Sequence, residues 1–310
     1  MEENIFNDGI YLNVYCNGSF VGDVKFHPVI NDYKVFFEIK NINAKSKAKF
    51  QEFAKILKYP ELIKCWYESG HAIVGGMLFK TGYSDVEYSN YIWAKFENYC
   101  VIKEKPGSSS NPELSKIGSD LSLFSWIKNR WSGEWRTPSE FKTGRKMKGW
   151  LYCDDGAGEK ADFIHVVKHC DMWMVSLIHV KAAKSDSASR KISVGAHDTV
   201  LSQAIKNLRC THRKILAKDL KGRLDNSENK YCWQDGSERK PDDFINFLDR
   251  ISGSRSTKFR VVVVQPHTCK SYYTAAKNSN KRKQLDVLLV SASNSVSSIG
   301  AEFFIIGADV

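Results

Sequence analysis

The chain has 310 residues, 42% of them hydrophobic and 12% aromatic, with a formal net charge of +11. That length suggests about two domains, the apolar content excludes wholesale disorder, and the basic charge suits a phosphate-rich partner, because charge speaks to association and not to fold. No apolar run reaches the ~18 residues of a membrane span, and the opening MEENIFNDGI lacks the basic and apolar regions of a signal peptide, so a cytoplasmic protein with no membrane partner is expected.

Eight cysteines are scattered along the chain and none forms a C-x-x-C pair. A structural zinc site is therefore not expected, and buried reduced thiols are the simplest reading.

Residues 10–42 read as strands, with Asn17-Gly18 suited to a tight hairpin turn. Residues 44–58 switch to helical period: Phe50, Phe53, Ala54 and Leu57 fall on one face. Strand-like runs follow at 63–67 and 72–79, and an aromatic segment at 83–99 closes this part. Residues 1–104 are thus expected to form a small mixed domain rich in antiparallel sheet, available for partner or nucleic-acid contact. KEKPGSSSNPE, residues 103–113, disfavours helix and strand alike, which places a linker at 105–112.

Residues 114–131 carry Leu114, Ile117, Leu121, Phe124, Ile127 and Trp131 at helical spacing. A basic turn region follows, then strand-like runs at 149–153, 161–167 and 172–180. Residues 194–218 read as one helix with a basic outer surface that includes Lys206, Arg209, Arg213 and Lys214. Residues 222–240 are a polar loop or small hairpin. A helix at 242–251, a doubly buried strand at 258–265, a helix at 282–293 and a short strand at 301–306 complete the chain. Residues 113–310 are expected to be an α/β sandwich with a mixed sheet.

Chemistry concentrates between residues 150 and 183. Asp162 sits inside an apolar run behind an acidic, glycine-rich turn with Asp154, Asp155 and Glu159, and the next strand ends in His179-Val180-Lys181. Mg²⁺ wants oxygen ligands, and one or two carboxylates plus a substrate phosphate suffice; a nearby lysine neutralises developing charge. By alternation, Asp162, Ile164 and Val166 share one strand face, as do His179 and Lys181. Each residue also has a plainer role. Asp162 is costly in an apolar strand unless used or paired with a lysine. Lys181 is a strand-end guard, His179 a core histidine, Gln203 a border of the helix core, and Glu159 an ordinary turn residue. The basic helix surface is either solvated or in contact with a DNA backbone.

This pattern resembles the PD-(D/E)XK nuclease superfamily, in which a helix precedes three strands, the aspartate lies on the second and (D/E)-x-K on the third. A further helix follows, often with a glutamine directed at the site. CDDGAGEKADFIHV, SLIHVKAA, LSQAIKN and QLDVLLVSASNSVSSIGAEFFIIGA look, more narrowly, like a module at the C-terminal end of bacterial DEAD/DEAH-type helicases linked to phage defence. The resemblance covers about residues 113–310. It implies a restriction-endonuclease-like domain that cleaves DNA with Mg²⁺ or Mn²⁺. Asp162, Lys181, Gln203, His179 and Glu159 would be its catalytic set, Asp162, His179 and Glu159 its metal ligands, and Lys206, Arg209, Arg213 and Lys214 its nucleic-acid contacts. No Walker A motif occurs, so a helicase or other defence-system partner would be a separate chain; a homodimer would allow both strands to be cut. The departure is His179 in the acid's position. Either histidine ligates, which favours Mn²⁺, or Glu159 substitutes, or the site is degraded. In the last case the chain is a catalytically inactive nucleic-acid-binding or scaffolding subunit of a defence complex. A further alternative has the N-terminal domain sense a partner and gate the nuclease.

Overall fold

The computed structural model describes residues 10–16, 19–31, 34–44, 47–56, 64–66, 71–74, 77–80, 86–108, 110–135, 137–143, 147–169, 171–208, 213–224, 230–252 and 257–310. The chain divides into two compact units, Met1–Asp85 and Val86–Val310.

The first unit contains β1 (Ile10–Cys16), β2 (Ser19–Asn31), β3 (Lys34–Ala44), α1 (Lys47–Ile56), β4 (Lys64–Trp66), β5 (His71–Val74) and β6 (Met77–Lys80). The strands form an antiparallel sheet in the order β1-β2-β3-β6-β5-β4. Val14, Val21 and Val24 are buried and pack against Ile39 and, from α1, Phe50. Tyr11 and Tyr15 on β1 are exposed, and Lys25 lies over the Tyr11 ring. Residues 1–85 hold ten lysines, no arginine and ten acidic residues, so the +11 charge belongs wholly to residues 86–310.

The second unit is built on an eight-stranded sheet. Its elements are β7 (Tyr91–Ala94), α2 (Leu123–Arg130), β8 (Trp150–Cys153), β9 (Phe163–His169), β10 (Met172–Val180), α3 (Asp198–Lys206), α4 (Arg213–Leu224), β11 (Tyr231–Gln234), β12 (Ser237–Arg239), α5 (Pro241–Ser252), β13 (Thr257–Cys269), α6 (Lys270–Ala275), α7 (Asn280–Ser297) and β14 (Glu302–Ala308). The strand order is β12-β11-β8-β9-β10-β13-β14-β7. β9 runs antiparallel to β8 and β10, whereas β10, β13, β14 and β7 are mutually parallel. Parallel strands need both faces covered, and their β-branched composition reflects it. One face packs on α3, α4, α5 and α7 through Val200, Leu216, Phe244 and Leu289; the other packs on α2 and its flanks through Phe124, Trp126, Trp131 and Trp135. The result is a mixed α/β architecture with a small antiparallel sheet and a large mixed sheet flanked by helices. Among the described residues no helix is long and apolar enough to cross a membrane.

Three expectations need correction. The boundary falls at residues 85 and 86, not at 105–112, because β7 pairs with β14 at the edge of the large sheet. Residues 103 and 104 are likewise tied down: their carbonyls accept from Leu123 N at 2.9 Å and Phe124 N at 3.0 Å. Residues 114–131 are not one helix. Gly118 takes a left-handed φ of +97°, and Ser122 then caps α2 by accepting from Ser125 N. Residues 194–218 also break. A short 3-10 turn, Val194–Ala196, leads into α3, and Asn207 ends α3, its side-chain amide committed to the Glu159 carbonyl at 3.1 Å.

The entry to β8 depends on Gly149. It has a φ of +78°, and a Cβ there would lie 2.2 Å from the Val166 carbonyl oxygen on β9. That neighbour is ladder backbone and cannot step aside. Gly149→Ala is expected to cost on the order of 3 kcal/mol, read as a lower urea midpoint; an unchanged midpoint would contradict the close approach.

Candidate metal centre

The acid residues meet at one end of the large sheet. There β8 ends, β9 begins, β10 ends and β11 begins. Ligands of open α/β sheets gather at the carboxyl ends of the parallel strands, and β10 and β13 run toward this end. The turn from Asp154 to Asp162 connects β8 to β9 and is closed by Asp154 N donating to the Asp162 carbonyl at 3.0 Å.

Asp154 is fully buried and holds the turn together. Its carboxylate accepts from Arg223 Nε at 2.8 Å and Lys160 N at 2.7 Å, with Lys230 Nζ 3.6 Å away. Arg223 also donates to the carbonyls of Asp154 and Ala157. Lys230 Nζ donates to the carbonyls of Asp154 at 2.9 Å and Asp155 at 2.7 Å. Two cations thus fold the backbone of an acidic loop around one buried carboxylate.

The remaining acids of the turn face one another. Asp155, Glu159 and Asp162 each bring a carboxylate oxygen to within 4.8 Å of the others. Asp162 Oδ2 accepts from Val180 N at 2.8 Å, which ties the cluster to the end of β10. Burial pushes the Asp162 carboxyl well above the usual carboxylate range. The neighbouring charge of Glu159 raises it further against the Val180 hydrogen bond, and Glu104 and Asp155 add to the shift. Burial likewise raises Glu159, opposed by a hydrogen bond from Gly156 N and reinforced by Asp155. Three hard oxygen donors in close repulsion are a suitable donor set for Mg²⁺ or Mn²⁺.

Two lysines border the acids. Lys105 Nζ lies 2.6 Å from Asp155 Oδ1. Burial opposes its charge, but the contact with Asp155 outweighs that and raises its pKa. Lys181 Nζ lies 2.9 Å from Glu104 Oε2.

Of the residues singled out from the sequence, Asp162 and Glu159 come together, and Lys181 stands at the same strand end. Asp155, read as a turn residue, is the third member of the cluster. His179 does not join the group. It lies on β10, on the same strand face as Val175 and Leu177, which pack in the helix-covered core. It is buried, and neither ring nitrogen has a hydrogen-bond partner among the described residues. Burial alone depresses its pKa to about 4. Gln203 is half-buried on α3, one turn before the Asn207 that binds the Glu159 carbonyl. Lys206 is exposed at the end of α3. Arg213 and Lys214 belong to α4, of which only their backbone is described, and Arg209 lies outside the described residues. Glu104, Lys105, Arg223 and Lys230 were not anticipated; the alternating charge of Lys103-Glu104-Lys105 is the one local sign of the first two.

No protein-family model, curated protein or solved structure matches the chain.

Two predictions follow from the buried charges. A carboxyl whose folded pKa is raised contributes stability that is fully present below its unfolded value of 3.8 and is lost as pH rises through the folded value. Metal-free Asp162→Asn is therefore expected to melt higher than the parent at neutral pH, by about 2–4 °C per kcal/mol gained, with the difference shrinking as pH falls. An equal or lower melting temperature at pH 7 would contradict the repulsion. His179 has the opposite sign of shift: the neutral ring contributes stability present above 6.5 and lost as pH falls toward about 4. His179→Leu removes two unpaired nitrogens, so urea denaturation should show it at least as stable as the parent at pH 7 and increasingly more so at pH 5. A marked loss at pH 7 would mean that the ring has a polar partner.

Proposed function

We propose that residues 86–310 form a metal-dependent nuclease domain of the restriction-endonuclease-like, PD-(D/E)XK type that cleaves DNA phosphodiester bonds. The observation that carries this reading is the convergence of Asp155, Glu159 and Asp162 at the strand end where Lys181 leaves β10. Element order supports it: α2 precedes β8, β9 and β10, Asp162 immediately precedes the second of these strands, Lys181 follows the third, and α3 with Gln203 comes next.

In this reading Asp155, Glu159 and Asp162 hold the cation, and Glu159 takes the role expected of an acid at position 179. A bound divalent cation supplies Lewis acidity at the phosphoryl oxygens and a more acidic water. Lys181, part-exposed at the rim, offsets charge that develops on the transferring phosphoryl group. The excess positive charge of this unit, including Lys206 and the basic α4, gathers the DNA backbone. The resemblance to helicase-linked defence modules points to a role against phage or plasmids beside a separate motor protein.

Supercoiled plasmid incubated with the full chain and Mg²⁺ or Mn²⁺ is expected to be nicked, with a loss of about 10²-fold or more in Asp162→Asn and Lys181→Met. Cutting that survives in both variants would place the activity elsewhere. DNA binding with steep salt dependence but no cutting under either cation would favour a non-catalytic subunit.

A further inference from the structure

Glu104 stands beside the acid cluster without belonging to it. It belongs to a stretch whose composition marks a linker, yet its carboxylate reaches the end of β10 and makes two contacts there. Oε2 accepts from Ala182 N at 3.3 Å and pairs with Lys181 Nζ at 2.9 Å. The backbone around it is fixed at both ends. Ala183 N donates to the Val101 carbonyl at 2.8 Å, and Phe124 N donates to the Glu104 carbonyl at 3.0 Å. The next residue, Lys105, reaches Asp155. Residues 101–105 therefore run alongside residues 181–183 and deliver one acid and one base to the rim of the cluster.

A D/E-x-K pattern sets an acid and a lysine on one strand face. Here that arrangement is broken twice: a histidine, His179, stands where the acid is expected, and β10 ends at Val180, so strand alternation no longer fixes the direction of Lys181. A flexible lysine at a strand end needs another constraint to present its ammonium reproducibly, because its free four-carbon stem samples many rotamers. The Glu104 contacts to two consecutive residues supply that constraint.

We propose that Glu104 is the positioning residue for Lys181, and that the segment before α2 is a wall of the site. The inference rests on reading the acid cluster as a divalent-cation centre. Glu104 acts on Lys181, and its removal should leave the cation donors in place.

The test uses the full chain, with Mn²⁺ binding followed by calorimetry and plasmid nicking followed in parallel. Asp162→Asn is expected to abolish Mn²⁺ binding, whereas Glu104→Gln, which keeps an oxygen for Ala182 N, retains the parent stoichiometry. Glu104→Gln and Lys181→Met should each lower kcat at least about tenfold with little change in KM. Together they should cost no more than about twofold beyond the worse single variant, the non-additivity of groups acting through one contact. Two outcomes overturn the inference alone: losses that multiply in the double variant, or loss of Mn²⁺ binding in Glu104→Gln as in Asp162→Asn. Mn²⁺ binding undiminished in Asp162→Asn would instead overturn the reading of the site.

Discussion

The buried carboxylate of Asp154 is the fixed point of this molecule. A nine-residue connection with four acids between two core strands would fly apart if left to its own charges. Arg223 and Lys230 prevent that by binding the Asp154 side chain, its own carbonyl and the carbonyls of Asp155 and Ala157. Removing one partner from a buried pair costs about 3–5 kcal/mol, which is a large share of the stability of any domain. The consequence is directional. With Asp154 satisfied inside, Asp155, Glu159 and Asp162 are left facing one another; Lys105 pairs with Asp155, while the buried Asp162 has the Val180 N–H and, among the described residues, no paired side-chain cation.

That arrangement ties the acids to the rest of the fold at several points. Arg223 comes from the last turn of α4 and Lys230 from the entry to β11, Asn207 secures the Glu159 carbonyl from the end of α3, and Val180 N holds Asp162 from β10. Helices α3 and α4 thus brace the acidic turn from outside. Functional sites often store local cost in this way, with supporting structure over-determining a conformation that would not form alone.

Much of this was legible in the residues. The β-branched run of β13, the alternation of β9 and β10 and the helical period of α5 and α7 follow from burial on one or two faces, and Asp162 stood out because an acid in an apolar strand demands a partner. What escaped was non-local. Glu104 and Lys105 sit in a Pro-, Gly- and Ser-rich stretch that looks like a tether, and nothing in residues 103–113 encodes a partner 50 or 78 residues away. β7 looked like the end of the first domain because a four-residue strand carries no sign of which sheet will accept it. Strand periodicity groups His179 with one face of β10, but only the packed structure shows that its buried ring nitrogens meet no hydrogen-bond partner among the described residues. Composition likewise averaged two unlike units, one electrically neutral and one strongly basic.

We propose that the Asp154–Asp162 turn is a cation site built from carboxylates alone. Anomalous scattering from crystals grown with Mn²⁺ tests it most directly. A peak enclosed by Asp155, Glu159 and Asp162 and not coordinated by His179 is expected; a peak coordinated by His179, or none at the turn with Mn²⁺ in large excess, would rule out such a site.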